Sequence, residues 1–415
     1  GENASLALNG AIVPISDYSE WTPNFNAWVE KFGMEKDLDD LRLKDGKYYY
    51  MPSLFDVPFY DGGLILRQDF LEANDLEAPA TYDDLYNILK LYKEQNPDSY
   101  PLTILSGPRV LYRMTMPAWG ISLGKNSSSG SYVLSWDYDK QQYFAGATSE
   151  QFKEYLQFFA KLYAEGLLDP EMADPIDGDK WTQKMASGAA MATYAYYDQI
   201  GGVEASSTID GFKLQMYPAL AGPAAHHQPK SRTGAGIMFP AKTAEREDFE
   251  QVVRTIDEIF FSEENAKLWC LGVEGETYTE DENGNIVYSD EITSSPDGIY
   301  KTMQVKYGCG SDVTQMVWVN KREMTKYDEN YAQINATVES MGDVIQGIPP
   351  TPMFDDLTSE EAGLLQTPLA DTWERWTNEF LTGSKSLDTD WDTYVAEMQS
   401  KGIDQFCELY QSNMN

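Results

Sequence analysis

Strand-like and helix-like patterns alternate along almost the whole chain, and that alternation confines it to an α/β fold. GGLILR (62–67) reads as a strand feeding a helix opened by Asp69. Thr81 and Asp84 form a capping box for a helix to about Glu94. WDYDKQQYF (136–144) reads as a hairpin. Beyond Gln151, Phe152, Tyr155, Leu156, Phe159, Leu162 and Tyr163 recur at helical spacing; Thr148 and Gln151 cap this helix, and Gly166 and Pro170 stop it. DKWTQKMASG is a short helix delivering the small-residue strand SGAAMATYAYYD (187–198), and GAGIMFPA (234–241) is another strand. GAIVPIS and KYYYMP also read as strands. Arg246–Leu271 is a helix with a fresh cap near Ser262, and residues 281–285 (DENGN) turn a hairpin between YTE and IVYSD. A helix from Ser359 to Asn378 opens with a Thr358/Glu361 capping box and breaks or kinks at Pro368; a last helical stretch covers 390–412.

At 415 residues the chain exceeds what one core usually serves, so two domains are expected. No stretch approaches the ~18 consecutive apolar residues of a membrane helix. No signal peptide is visible, and Gly1-Glu2-Asn3 reads as a trimmed or tagged start. A net charge of −36 repels phosphate backbones, which argues against a nucleic-acid partner. Cys270, Cys309 and Cys407 show no CxxC or zinc spacing. Cys270, within AKLWCLG, reads as a buried small hydrophobe; a Cys270–Cys309 bridge stays open as an alternative that the sequence does not favour. So few cysteines fit either the cytosol or an exported protein that avoids thiols.

Covalent catalysis finds little support. There is no GxSxG and no P-loop, and the sole histidines are the adjacent His226 and His227. From Thr279, the residues Asp281, Asn283, Gly284, Ile286 and Asp290 approach a calcium loop, but a Thr at its first position and strand-like flanks favour a hairpin turn. Asp281, Asn283 and Asp290 are therefore weak metal candidates, and no cofactor is expected. Carboxylates abound, so a glycoside-active enzyme using a carboxylate pair stays open as a rival. Aromatic richness is the remaining signal, with 10 Trp, 27 Tyr and 17 Phe. Flat side chains cover the C–H face of a sugar ring while neighbouring polar groups satisfy its hydroxyls. Trp28, Trp269, Trp373, Trp376 and Trp391 lie in helical patterns and read as core.

The order of segment 62–89, the 136–144 hairpin, the 150–166 helix and the 187–198 strand resembles the extracellular solute-binding proteins of ATP-driven importers. The nearest branch is the large lipoprotein type that captures oligosaccharides. That resemblance implies a two-lobed type II periplasmic-binding-protein fold with a central cleft. The first lobe would hold 1–57 and 240–305, and the second 58–235 and 306–415 with the C-terminal helices. Family members begin with a strand, a long helix and a second strand before a segment like LALNGAIVPISDY. This chain starts at that point, roughly 70–100 residues later for domains of ~150 residues, so the first lobe's sheet is expected to lack its N-terminal strands.

The resemblance further implies capture by hinge closure of a neutral hexose chain, such as a manno- or gluco-oligosaccharide. Few bases occupy the relevant segments, Arg113, Lys230 and Arg232 being the exceptions. By resemblance, Asp56, Arg113, Trp119, Trp181, Tyr194, Tyr196, Tyr197, His227, Trp318 and Phe354 approach the ligand. The implied partners are ABC permease subunits, the implied location is the outer face of the cell membrane by a lipid anchor, and the implied state is a monomer. A receptor of the same fold for peptides or other solutes is a further alternative.

Overall fold

The computed structural model describes residues 6–7, 9–55, 62–105, 107–121, 133–173, 177–196, 199–217, 219–224, 232–282, 286–295, 298–310, 316–318, 352 and 354–414. Among them lie eleven strands, β1–β11, and ten α-helices of at least eight residues, α1–α10, numbered along the chain. Two compact units result. One comprises Gly1–Phe59, Lys230–Asp328 and Met353–Ser359, the other Tyr60–Pro229, Glu329–Pro352 and Glu360–Asn415. The expected division placed 306–415 wholly in the second unit. Residues 306–328 fall in the first because β11 (Val317–Trp318) pairs with β1 (Met51–Phe55).

The first unit is built on a sheet of order β11-β1-β8 among the described residues. All five β1 residues are buried, which is why MPSLF shows no polar alternation. β11 runs parallel to β1 and β8 (Thr233–Ile237) antiparallel, with the β8 register shifting between Pro52 and Leu54. Pro52 has no N–H to give the ladder. Phe25, Trp28 and Val29 of α1 (Pro23–Phe32) share a core with Leu54 and with Phe249, Val253 and Phe261 of α6 (Phe249–Phe261). Thr22 makes no side-chain cap at the start of α1; instead buried Asp257 of α6 accepts from the amides of Asn24 and Phe25, each at 2.9 Å. Burial pushes the Asp257 carboxyl above its ordinary range while the amides of Phe25 and Asn24 oppose the shift.

Ser262 caps α7 (Glu263–Leu271) as its sequence predicts, accepting from Asn265 N. The predicted hairpin is β9 (Tyr278–Glu280) against β10 (Ile286–Tyr288). Three expectations need correction here. GAIVPIS is not a strand: Ile12 makes one bridge, to Pro240, and a 3₁₀ turn follows over Ile15–Trp21. The KYYYMP strand begins only at Met51. Trp269 is half-buried rather than core, stacked on Phe260 at 5.9 Å with its indole N–H on Ile259 O at 2.9 Å.

The second unit carries a sheet of order β3-β6-β2-β7: β3 Leu102–Ile104, β6 Ala192–Tyr196, β2 Gly62–Arg67 and β7 Leu214–Tyr217. Central β2 is antiparallel to both neighbours, and β3 is parallel to β6. The Thr81–Asp84 capping box opens α2 (Tyr82–Gln95). α4 (Glu150–Ala164) buries Phe152, Tyr155, Leu156, Phe159 and Leu162. Its cap is Ser149, which accepts from Phe152 N at 3.2 Å, and not Thr148. The 136–144 hairpin is β4 (Ser135–Asp137) with β5 (Gln142–Phe144).

α8 (Asp356–Leu381) runs without interruption past Pro368, contrary to the expected break. The carbonyl that Pro368 leaves without an amide belongs to Leu364, a residue 73% exposed on the solvent side of the helix. The cap is one turn earlier than expected: Asp355 Oδ1 accepts from Thr358 N at 2.9 Å. Trp373 and Trp376 of α8 and Trp391 of α9 (Trp391–Ser400) are buried, and α10 (Ile403–Ser412) follows a left-handed Gly402.

Candidate functional site

β3, β6 and β7 of the second unit all end at the edge where β2 begins, and open α/β sheets bind ligands beyond the carboxyl ends of their strands. Gly62 pairs with Tyr196 at that edge. Tyr194 and Tyr196 are two apart, so they share a sheet face. Tyr194 is buried at 3% exposure, whereas Tyr196, at the strand end, is half-buried. α3 (Pro108–Thr115) places Arg113 in its last turn, exposed. The Arg113 guanidinium donates to the Tyr196 phenol oxygen at 2.5 Å and sits 5.3 Å from its ring centroid. Planar cation and ring therefore hold each other in place. A side chain at residue 62 would crowd this corner, its Cβ falling 2.3 Å from the Met114 Cε and 3.2 Å from the Ala195 oxygen. One turn before Arg113, α3 and α8 enclose a cavity of about 220 Å³ lined by Arg109, Tyr112, Gln366, Asp371, Trp373 and Glu374, among others.

The other predicted residues of this unit are not brought to that edge as surface groups. Trp119 is buried, with ring centroids 4.5 Å from Tyr82 and 5.2 Å from Tyr155. The 3₁₀ turn Met116–Trp119, closed by left-handed Gly120, delivers it to the α4 core. Trp181 of α5 (Gly178–Ala186) is 1% exposed and donates its indole N–H to Thr193 Oγ1 at 3.1 Å, on the sheet face opposite Tyr194. Trp119, Trp181 and Tyr194 are therefore core side chains. Asp56, Tyr197 and His227 lie outside the described residues.

In the first unit, β1 and β11 end side by side at Phe55 and Trp318, a pairing that nothing in the sequence signalled. The Trp318 side chain is outside the description. Phe354 is half-buried, in the residues that lead into α8. Arg232, a candidate cation, is committed elsewhere: its guanidinium donates to Phe32 O at 2.5 Å, Gly33 O at 3.4 Å and Asp37 at 3.3 Å, covering the carboxyl end of α1. Asp281 and Asp290 are both exposed, Asp281 just after β9 and Asp290 opening a helical turn, while Asn283 lies outside the description. Among the described residues no group of three or more His, Cys, Asp or Glu side chains is placed to hold a metal ion.

Comparison with known proteins decides the family, for residues 15–265, more than half of the chain, match the bacterial extracellular solute-binding protein profile. The chain belongs to that family. It is thus a member of a binding-protein family and not of an enzyme family. Lipoprotein LipO of Bacillus subtilis (strain 168) is 28% identical over 228 residues, which are 52% of this chain and 43% of that protein, so under half of LipO's length is spanned. The fructooligosaccharide ABC transporter substrate-binding protein FusA of Streptococcus pneumoniae serotype 4 is 22% identical over 99% of this chain and 78% of its own. Among solved structures, the alginate-binding protein AlgQ2 without calcium ion aligns over 98% of this chain and 82% of its own, with TM-score 0.77 and 19% identity. FusA in complex with kestose aligns with TM-score 0.70 at 17% identity, over 99% of this chain and 84% of that one. These likenesses show a two-lobed solute-binding fold.

Proposed function

We propose that this solute-binding protein captures an oligosaccharide, a neutral hexose chain, and delivers it to the permease subunits of an ABC importer. The observation that carries the reading is the Arg113–Tyr196 pair, an aromatic ring and a guanidinium held together at the carboxyl edge of a sheet. A sugar needs both: a flat partner for its C–H face and donors for its hydroxyls. FusA, which aligns with nearly the whole chain, is named for fructooligosaccharides, and this supports a carbohydrate ligand. Neutral sugar is favoured over uronate because Arg232 is tied to α1 and Asp37, which leaves few cations for a carboxylate. Capture is proposed to work by hinge closure, a ligand stabilising the closed state through contacts it makes only there. The name of LipO supports a lipid anchor at the outer face of the membrane, and a monomer is proposed.

A thermal-shift screen tests this, using fructo-, manno- and gluco-oligosaccharides beside uronate oligomers. A ligand at a hundredfold excess over its Kd stabilises by about 2.7 kcal/mol. Neutral chains are expected to raise Tm and uronates to leave it unchanged. A response confined to uronates reverses the ligand class, and sugar cleavage during incubation removes the receptor reading.

A further inference from the structure

Cys270, near the end of α7, and Cys309, just after the π-helical turn Met303–Tyr307, are 39 positions apart in sequence. Both thiols are buried, 1% and 8% exposed, in one small apolar cluster with Tyr278, Ile286, Tyr288 and Met303. Two backbone bonds order this region, one within the turn before Cys309 and one between the two segments. Cys309 N donates to Met303 O at 3.1 Å, and Gly310 N donates to Trp269 O at 2.8 Å. The residue after Cys309 is thereby bonded to the residue before Cys270. That bond ties the last turn of α7 to the chain beside Cys309, so the two cysteines sit on backbone segments in direct contact. Disulfides span Cα separations of roughly 4.4–6.8 Å. Left-handed Gly308 and Gly310 on either side of Cys309 allow the chain to turn there. Burial raises the Tyr288 phenol, with smaller contributions from Cys270 and Cys309, its neighbours in the cluster.

We propose that Cys270 and Cys309 form a disulfide when the protein folds in an oxidising compartment, stapling α7 to the segment ahead of β11. The eight-residue cluster they join is separate from the main core of the first unit, and a small cluster is where a covalent tie adds most. The oxidant is a low-molecular-weight disulfide. The Cys309 thiolate attacks one of its sulfurs, giving a mixed disulfide and releasing one thiol. The Cys270 thiolate then attacks the Cys309 sulfur, the protein S–S bond forms and the second thiol leaves. Two protons pass from the cysteines to the two leaving thiolates. The reduced form parks each S–H on a carbonyl, Cys270 on Val317 O at 3.0 Å and Cys309 on Tyr307 O at 3.4 Å, and both bonds are given up on oxidation. Burial pushes the Cys309 thiol up, so exchange belongs to the stage before the cluster closes.

The test is to refold the reduced, full chain in a buffer of reduced and oxidised glutathione, alkylate it with iodoacetamide under denaturing conditions, and map its peptides by mass spectrometry. The expected product has Cys270 and Cys309 peptides linked and Cys407 alone alkylated. Dithiothreitol is expected to lower the Tm of that product, and of Cys407→Ser, by several degrees, and to leave the Tm of Cys309→Ser unchanged. Alkylation of all three cysteines after refolding, or links that run through Cys407, would overturn the proposal. Neither result depends on the ligand.

Discussion

Arg113 and Tyr196 meet across 83 positions of sequence, and no short-range motif announces the pair. Replacing Arg113 with Ala is expected to weaken binding of whichever oligosaccharide scores by tenfold or more, about 1.4 kcal/mol, in a calorimetric titration. Because Arg113 is exposed, its loss should leave stability within about 0.5 kcal/mol. Trp119→Ala and Trp181→Ala should do the reverse, costing about 3–5 kcal/mol in denaturant unfolding through the cavities they leave. The sequence misdirects at Trp119 because a loop end resembles a surface until a left-handed Gly120 folds it inward, and at Trp181 because its cover is strand β6, where Thr193 accepts from its indole. Mid-helix Trp269 errs in the opposite sense, since helical spacing says which face a residue shares and not whether anything covers that face. Glu171 is a residue whose charge can be followed. Lys180 and Lys184 both donate to it, Lys180 Nζ at 2.7 Å, and they hold its carboxyl down at about 2. A depressed folded value means that its contribution is present above the unfolded value of about 4.3 and is lost as pH falls from there towards 2. In a Glu171→Gln variant, Tm should therefore fall less steeply over that window than in the parent.

At the scale of elements, short-range chemistry was legible wherever a cap or a turn carries it. The Thr81–Asp84 box and the Ser262 cap follow from side chains within a few residues of the backbone they serve, and the β9–β10 hairpin forms where the sequence expects one. Thr81→Ala should accordingly cost about 1 kcal/mol. What sequence does not show is a cap supplied from elsewhere. α1 begins on Asp257, more than 230 residues away, and ends under Arg232. Asp257→Ala strips acceptors from the buried amide of Phe25 and the amide of Asn24, with an expected loss of roughly 1–3 kcal/mol in denaturant unfolding. Pro368 is the inverse case, a local breaker overridden because the neighbouring turns of α8 stay packed through Leu369 and Trp373. β11 went unseen because two residues carry no period, and its partner β1 lies some 260 residues earlier.

For the whole molecule, alternation of strand and helix was enough to indicate an α/β chain; its length led to the expectation of two domains, and the described residues form two compact units, each with a sheet. The family profile and the solved neighbours make that a solute-binding fold. Ligand identity does not follow from the fold, since one scaffold hosts many sites. If capture works by hinge closure, small-angle scattering should show a smaller radius of gyration once ligand is present, and a smaller change with Arg113→Ala at a sugar concentration near the parent's Kd. The most direct measurement is calorimetric titration of the protein with neutral oligosaccharides, each mixture then checked by chromatography for cleaved sugar. Saturable binding of an intact chain, weakened in Arg113→Ala and Tyr196→Ala, is the predicted result. Equal affinity in parent and variants, or recovery of shortened sugar, would contradict it.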